Sequence, residues 1–483
     1  MTASNDPIHV ALDRGLRQLA TLGGDCVAQA NSIGSILWSP PRVVVVGRLK
    51  AGKSTLVNAL IGAPVAETAA LEATNVVTVY QDGAPSRAEV VGLDGTRRPA
   101  ALGPASGVEA PLFAGDIAYV DRWLPSAALR EQTLIDTPGL STLTVANDAA
   151  TRRVTIDGFE QTRNASVDAD AAVFLFDAAP RADEIEFLNR LPFTPLTTLG
   201  VLSRADSFGE GAWGRRDPLD HARQHAVRLA ARLGDVVSEV VPVSGLMAQT
   251  SHTGMLTERH AASLARLHGV GRLDVLRIFD SADPAAGPIP PAERVELLGL
   301  LGEYGVLNGR GIAAGGGAAA LNAWLADRSG LAALRRALRA STARFAVLHR
   351  AHRILARLDR LAFDHPARDH IRTIAATLRA DPALLPVTVL EDYQRMLDTD
   401  PQSPVTDELR TILTATGPAG RVGLAETTPP GEIAVRAQRL LAAAQQRTLA
   451  TRSAAEDAAL VTLIRIYTMM AAGHQPPRNI PTP

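Results

Sequence analysis

Gly47-Arg48-Leu49-Lys50-Ala51-Gly52-Lys53-Ser54-Thr55 follows the apolar run Val43–Val46 and leads into Leu56-Val57-Asn58-Ala59-Leu60-Ile61. A short β-branched run, a glycine-bounded turn and an amphipathic stretch predict strand, loop and helix in direct succession. The spacing G-x-x-x-x-G-K-S in that context is a phosphate-binding loop. Its glycines let the backbone wrap so that N–H groups of Gly47, Lys50, Ala51, Gly52, Lys53, Ser54 and Thr55 face phosphate oxygens, and the helix N-terminus adds a favourable dipole. Lys53 can reach the β- and γ-phosphates, and the Ser54 hydroxyl can ligate the magnesium ion that bridges them. The competing reading, a chance glycine turn before a helix, accounts for neither the lysine nor the serine. A nucleoside triphosphate is the expected ligand.

Composition sets the outer limits. The chain has 483 residues, which implies two or three domains, and its hydrophobic fraction of 46% can fill a substantial core. A formal net charge of −1 argues against nucleic acid as a partner. Cys26 is the single cysteine, which excludes an intrachain disulfide and a cysteine-based metal site. The first 25 residues lack a basic-then-apolar secretory pattern. No uncharged apolar run approaches the roughly 18 residues that span a bilayer. These features predict a soluble protein of a reducing compartment. Of the 49 basic residues only Lys50 and Lys53 are lysines, and both fall in the loop. For Lys53 the reason is steric: a compact ammonium fits between phosphates where a planar guanidinium does not.

Along the chain, residues 8–37 read as a helix interrupted at Gly23-Gly24 and ended by Ser39-Pro40-Pro41. Between Arg42 and about Ser244, strand-like runs alternate with helical ones, the pattern of an α/β parallel sheet. Strands are expected at 43–46, 76–81, 88–93, 117–123, 132–136, 172–177, 199–203 and 239–243, with 83–86 and 99–111 as surface loops. Beyond Ala292 the pattern is almost wholly helical, with stretches at 367–379, 387–398, 404–415, 431–449 and 451–472 separated by prolines. Domain bounds follow at 1–40, 41–335 and 336–475, with a disordered proline-rich tail at 476–483.

Three further motifs appear in the order a guanine-nucleotide domain requires. Asp136-Thr137-Pro138-Gly139 closes the strand 132–136, where Asp136 can hold magnesium through water and the Gly139 N–H can bind the γ-phosphate. Ser203-Arg204-Ala205-Asp206 ends another strand, and the Asp206 carboxylate can accept from N1 and the 2-amino group of guanine. This motif departs from the usual N/T-K-x-D, with Ser203 for Asn or Thr and Arg204 for Lys. Ser244-Gly245 stands at the next strand end, where a base-contacting loop falls. Thr74 suits the switch threonine that ligates magnesium, with Thr68 and Thr78 as alternatives. The metal set is therefore Ser54, Thr74 and Asp136, with GTP or GDP as the nucleotide.

These motifs, with a helix before the domain and helices after it, resemble the bacterial dynamin-like GTPases. Within that group the chain is similar to the isoniazid-inducible dynamin-like proteins of mycobacteria, through Leu71-Glu-Ala-Thr74, Ser203-Arg-Ala-Asp206, Val241-Pro-Val-Ser-Gly-Leu246 and Arg328-Ser-Gly-Leu-Ala-Ala-Leu-Arg335. The resemblance covers roughly residues 42–340 and is architectural after that. It implies an α/β GTPase head of mostly parallel sheet flanked by helices, a helical neck or stalk bundle built from both chain ends, and a role in membrane remodelling. It also implies head-to-head self-association, pairing with a second dynamin-like protein, and a cytoplasmic location reaching the inner face of the plasma membrane. Leu49 stands where many dynamins carry a polar residue that orients the attacking water. Lys50 stands where guanylate-binding members carry an internal arginine finger, which makes it a candidate catalytic residue with Lys53 and Thr74. The segment 335–360 holds eight arginines and one acidic residue, Asp359. It reads as a bundle helix in preference to an anionic-lipid surface, because such periodicity mostly reflects core packing. The rival to an active hydrolase is an assembly partner that binds nucleotide and turns it over negligibly.

Overall fold

The computed structural model describes residues 6–66, 76–102, 108–109, 117–138 and 169–473. They divide into two compact units, one spanning Pro40–Ala340 and the other formed by both chain ends, Met1–Ser39 and Ser341–Pro483.

The larger unit is built on a sheet of β1 (Arg42–Gly47), β2 (Thr78–Asp82), β3 (Arg87–Gly92), β4 (Arg97–Leu102), β5 (Val108–Glu109), β6 (Ile117–Leu124), β7 (Thr133–Asp136), β8 (Ala171–Phe176), β9 (Thr198–Leu202) and β10 (Glu239–Pro242). Their spatial order is β10-β9-β8-β1-β7-β2-β6-β3-β4-β5. From β10 to β7 all neighbours are parallel, whereas β2 runs antiparallel to β7 and parallel to β6. Strands β3, β4 and β5 add successive antiparallel pairings beyond β6.

The continuous apolar runs of β1 and β8 have a physical reason. Both faces of a parallel sheet are covered by helices, so alternation with polar residues is lost. Val43 and Val45 enter one core with Leu56 and Leu60 of the helix Lys53–Ile61 and with Leu331, Leu334 and Leu338. Val44 and Val46 enter the other with Phe174, Leu229, Leu264 and Leu301. The period-2 geometry of a strand thus divides one valine run between two cores.

One expectation is overturned. Residues 99–111 do not form a loop throughout, because β4 and β5 occupy 97–102 and 108–109. Pro99 pairs opposite Glu89 of β3, and β5 joins β4 only at Ala101 and Leu102. Among the described residues no strand pairs with the far side of β4 at Pro99, the circumstance in which a strand tolerates proline.

In the smaller unit, Asp6 caps the helix Pro7–Thr21, and Gly23 and Gly24, at φ 73° and 57°, separate it from Asp25–Trp38. The later helices are punctuated by proline, with Pro404, Pro418 and Pro430 each at a first turn, where the missing N–H costs nothing. The arginine-rich segment behaves as a bundle helix. Arg344 donates to the carbonyls of Leu413 and Thr414, Arg350 is buried against the Leu37 carbonyl at 3.3 Å, and Asp359 pairs with Arg379. Among the described residues no single helix is long and apolar enough to cross a membrane. The helices Arg368–Ala380 and Pro382–Thr399 would suffice together but bend by 72°.

Candidate active site

The phosphate end is assembled where β1 and β7 finish side by side, with Val45 in register with Asp136. Gly47 ends β1, and Gly52 at φ 94° lets the loop turn into the helix Lys53–Ile61, whose N-terminus no side chain caps. Its first N–H groups are left for an anion. Lys53 is 7% exposed and donates from Nζ to the carbonyls of Gly47 at 3.1 Å and Arg48 at 3.0 Å. Burial holds its ammonium below the usual lysine range, against the attraction of Asp136. Ala51 is buried in the loop, and Leu49 and Lys50 are exposed.

Asp136 is 8% exposed. Its Oδ2 accepts from the Ser54 hydroxyl at 3.3 Å, and its Oδ1 is buried without a hydrogen-bond partner among the described residues. Burial pushes the carboxyl up to about 6, although Lys53, Ser54 and the Thr137 N–H all favour the ionised form. An orphaned buried carboxylate oxygen beside a hydroxyl is a hard oxygen donor set of the kind magnesium takes. The residues present fit that ion.

The base end lies at the tips of β9 and β10. Ser203 donates to Asp177 Oδ1 at 2.8 Å and to the Phe176 carbonyl at 3.2 Å, so its hydroxyl fastens β9 to β8. Arg204 has φ 52° and donates from Nη2 to the Lys50 carbonyl at 2.9 Å. Asp206 is half-buried on the following turn, and no described residue donates to its carboxylate. Ser244 is fully buried and its hydroxyl accepts from the Met247 N–H, capping the helix Gly245–His252. Gly245 sits against Thr55, since a Cβ there would lie 3.5 Å from Thr55 Cγ2.

The sheet thus brings Lys53, Ser54 and Asp136 together, and joins Lys50 to Arg204 and Thr55 to Gly245. Thr74 and Gly139 lie outside the described residues. Two features escaped the sequence reading. Arg48 stands between Asp183 Oδ2 and Glu184 Oε1, both at 3.9 Å, and Glu184 is 4% exposed with its carboxyl raised by burial. Asp177 is the acceptor for Ser203. Arg48 fills an unspecified position of the loop motif and Asp177 belongs to no motif, and only the fold shows their partners.

Comparison with known proteins agrees with this geometry. A family model described as a 50S ribosome-binding GTPase matches residues 42–197. The isoniazid-induced protein IniC of Mycobacterium tuberculosis, from strains CDC 1551 / Oshkosh and ATCC 25618 / H37Rv, is 32% identical over 437 residues, covering 83% of this chain and 84% of the relative. Two solved structures, described as an oligomerised bacterial dynamin pair that provides a mechanism for the long-range sensing and tethering of membranes, are 12% and 13% identical. They cover 97% and 96% of this chain and 80% and 72% of their own, with TM-scores of 0.29 and 0.31, a level of superposition that carries no argument. The identity to IniC extends over most of both chains, and Lys53 and Ser54 of the phosphate loop converge in space with Asp136 of β7, so the chain belongs to the IniC family of GTPases.

Proposed function

We propose that this GTPase hydrolyses GTP with magnesium and couples turnover to self-association, or to association with a second dynamin-like protein, in membrane remodelling or maintenance. The observation that carries the chemical part is the unpartnered Asp136 Oδ1 beside the Ser54 hydroxyl. Magnesium held by Ser54 and Thr74, and by Asp136 through water, would neutralise charge on the bridged phosphate oxygens. Lys53 would exchange its bonds to the Gly47 and Arg48 carbonyls for the β- and γ-phosphates. Lys50 would add positive charge at the transferring phosphoryl group when two heads meet.

The family resemblance supports the membrane and association parts, and a cytoplasmic location at the inner face of the plasma membrane goes with them. One observation favours a second reading, in which the chain is a nucleotide-dependent assembly partner with little hydrolysis. Leu49, 57% exposed, occupies the position of a water-orienting group and has no polar atom with which to do so.

The test is GTP turnover measured against protein concentration, with magnesium or EDTA and with or without anionic vesicles. Magnesium-dependent turnover that rises with concentration or on vesicles is the expected result. Turnover independent of both removes the association-coupled mechanism and leaves a GTPase. Negligible turnover, together with vesicle binding that requires a second dynamin-like protein, establishes the assembly-partner reading.

A further inference from the structure

We infer that Gly302 forms a third wall of the base pocket and is a specificity-determining position for guanine. The inference rests on the reading of Asp206 as the guanine acceptor. The helical run Pro291–Arg328 is broken at Gly302, where φ is 64° and ψ 175°, a conformation open to glycine and strained for any other residue. Breaking a helix sacrifices backbone hydrogen bonds, so the place where it breaks carries information.

A Cβ added at Gly302 would lie 3.4 Å from Asp206 Oδ2 and 3.4 Å from Leu246 Cδ2. Three segments far apart in sequence therefore meet around Gly302: its own interruption of the helix, the Asp206 turn, and the residue after Gly245. The contact is held from behind by the Thr250 hydroxyl, which donates to the buried Leu300 carbonyl, and by Leu301, which is fully buried.

The same helical run breaks a second time at Gly316 and Gly317, which makes an internal comparison. There the Glu258 carboxylate accepts from the Ala318 N–H, so a side chain closes the second break. At the first break no described side chain bonds to the main chain of residues 301–303, and the neighbouring polar group is the open carboxylate of Asp206. The second break is satisfied within the protein, whereas the first faces a group still to be matched by a ligand.

The ligand chemistry follows. Guanine presents N1–H and an exocyclic 2-amino group on one edge; hypoxanthine keeps N1–H and lacks the amino group, and adenine lacks this donor pair. Both carboxylate oxygens of Asp206 must be free to pair with both donors. A methyl at position 302 in contact with Oδ2, on a backbone forced away from its native φ, shifts the carboxylate and weakens the amino contact first.

The experiment titrates the full chain with GTP, ITP and ATP by competition with a fluorescent nucleotide, for wild type, Gly302→Ala and Leu246→Ala. Circular dichroism and denaturant unfolding verify that each variant is folded. Wild type is expected to rank GTP above ITP above ATP. Gly302→Ala should lose about tenfold in GTP affinity and roughly twofold for ITP, the roughly fivefold difference expected when one hydrogen bond is weakened without being lost. Leu246→Ala loosens the same wall without straining the backbone and should narrow the GTP-to-ITP ratio in the same direction, which keeps the test intact if Gly302→Ala does not fold. A wild type with no preference for GTP over ATP overturns the guanine reading itself. A wild type that prefers GTP, with folded variants that keep its full GTP-to-ITP ratio, overturns the role of Gly302 alone.

Discussion

Arg204 and Lys50 stand 154 positions apart and are joined by a 2.9 Å hydrogen bond from guanidinium to main-chain carbonyl. Among the described residues they are also the two non-glycine positions with positive φ, 52° and 64°. Two left-handed residues, each costing about 1 kcal/mol or more, are thus fastened to one another at the junction of the phosphate and base motifs. The replacement of the usual lysine by arginine gives the base motif a fork long enough to hold the loop.

Arg204→Ala should therefore loosen the loop before nucleotide arrives. The bond is exposed, so its loss corresponds to about 0.5–1.5 kcal/mol, or roughly two- to tenfold in nucleotide affinity. The change should appear mainly in the dissociation rate, measured by displacement of a fluorescent GDP. An unchanged dissociation rate would show that the bond contributes nothing to nucleotide retention.

Asp136 gives a prediction with a definite sign. Its folded-state pKa, pushed up by burial to about 6, lies above the 3.8 of a free aspartate side chain. A carboxyl shifted upward favours the folded state at low pH, and this contribution is lost as pH rises through the folded value. The metal-free protein should lose stability between about pH 4 and pH 6, by on the order of 2–3 kcal/mol. Magnesium affinity should rise over the same interval, since the proton and the ion compete for one carboxylate. Asp136→Asn should flatten both profiles, weaken magnesium binding and leave the apo protein at least as stable at neutral pH. Denaturant titrations at several pH values would check this, and a variant with the wild-type pH profile would refute it.

Lys50 can be separated from Lys53 by the same measurements. Lys53 is buried against two carbonyls and Lys50 is exposed. Lys53→Ala should abolish triphosphate binding. Lys50→Ala should retain nucleotide affinity within about twofold and reduce turnover by tenfold or more at protein concentrations where heads associate, with Lys50→Arg restoring part of it. Unchanged turnover in Lys50→Ala would remove the residue from the reaction.

Arg294 tests the scaffold without touching the site. It is 2% exposed and donates to the carbonyls of Ile289 and Ile278 at 2.7 and 2.8 Å, and of Ser281 and Asp283 at 2.8 and 3.2 Å. No carboxylate is among these acceptors, so the guanidinium works as a four-way tie for the segment before the helix Pro291–Arg328. Arg294→Met leaves several buried carbonyls unsatisfied and should cost about 3 kcal/mol. Arg294→Lys should rescue little, because an ammonium lacks the planar fork. Denaturant unfolding reads the loss, and the affinity of the folded fraction for GTP should be unchanged.

The parts of this protein legible in its sequence are those written in local pattern. The valine run of β1, the glycine–lysine–serine spacing, the Gly23-Gly24 break and the proline-started helices all report on backbone needs within a few residues. The hairpin of β4 and β5 was hidden by Pro99, since its tolerance depends on an open strand edge that only the sheet order reveals. Arg48, Asp177 and Gly302 were hidden for a different reason. Their partners, Glu184, Ser203 and Asp206, come from other strands and helices, and a glycine inside a long helical pattern reads as a weak helix former until its neighbour is known. The arginines of 335–360 lie between these cases: periodicity showed that a helix faces a core, and the fold showed which carbonyls they hold.

The two lysines have a practical consequence for chemistry on this protein. An amine-reactive reagent meets, besides the amino terminus, one exposed ammonium at Lys50 and one buried ammonium at Lys53 in 483 residues. Acylation of the chain is in effect acylation of its nucleotide loop, and the extent of modification at Lys50 becomes a direct reporter of whether that loop is covered by a ligand or by another head. The same reagent that marks most protein surfaces indiscriminately would here read a single functional position.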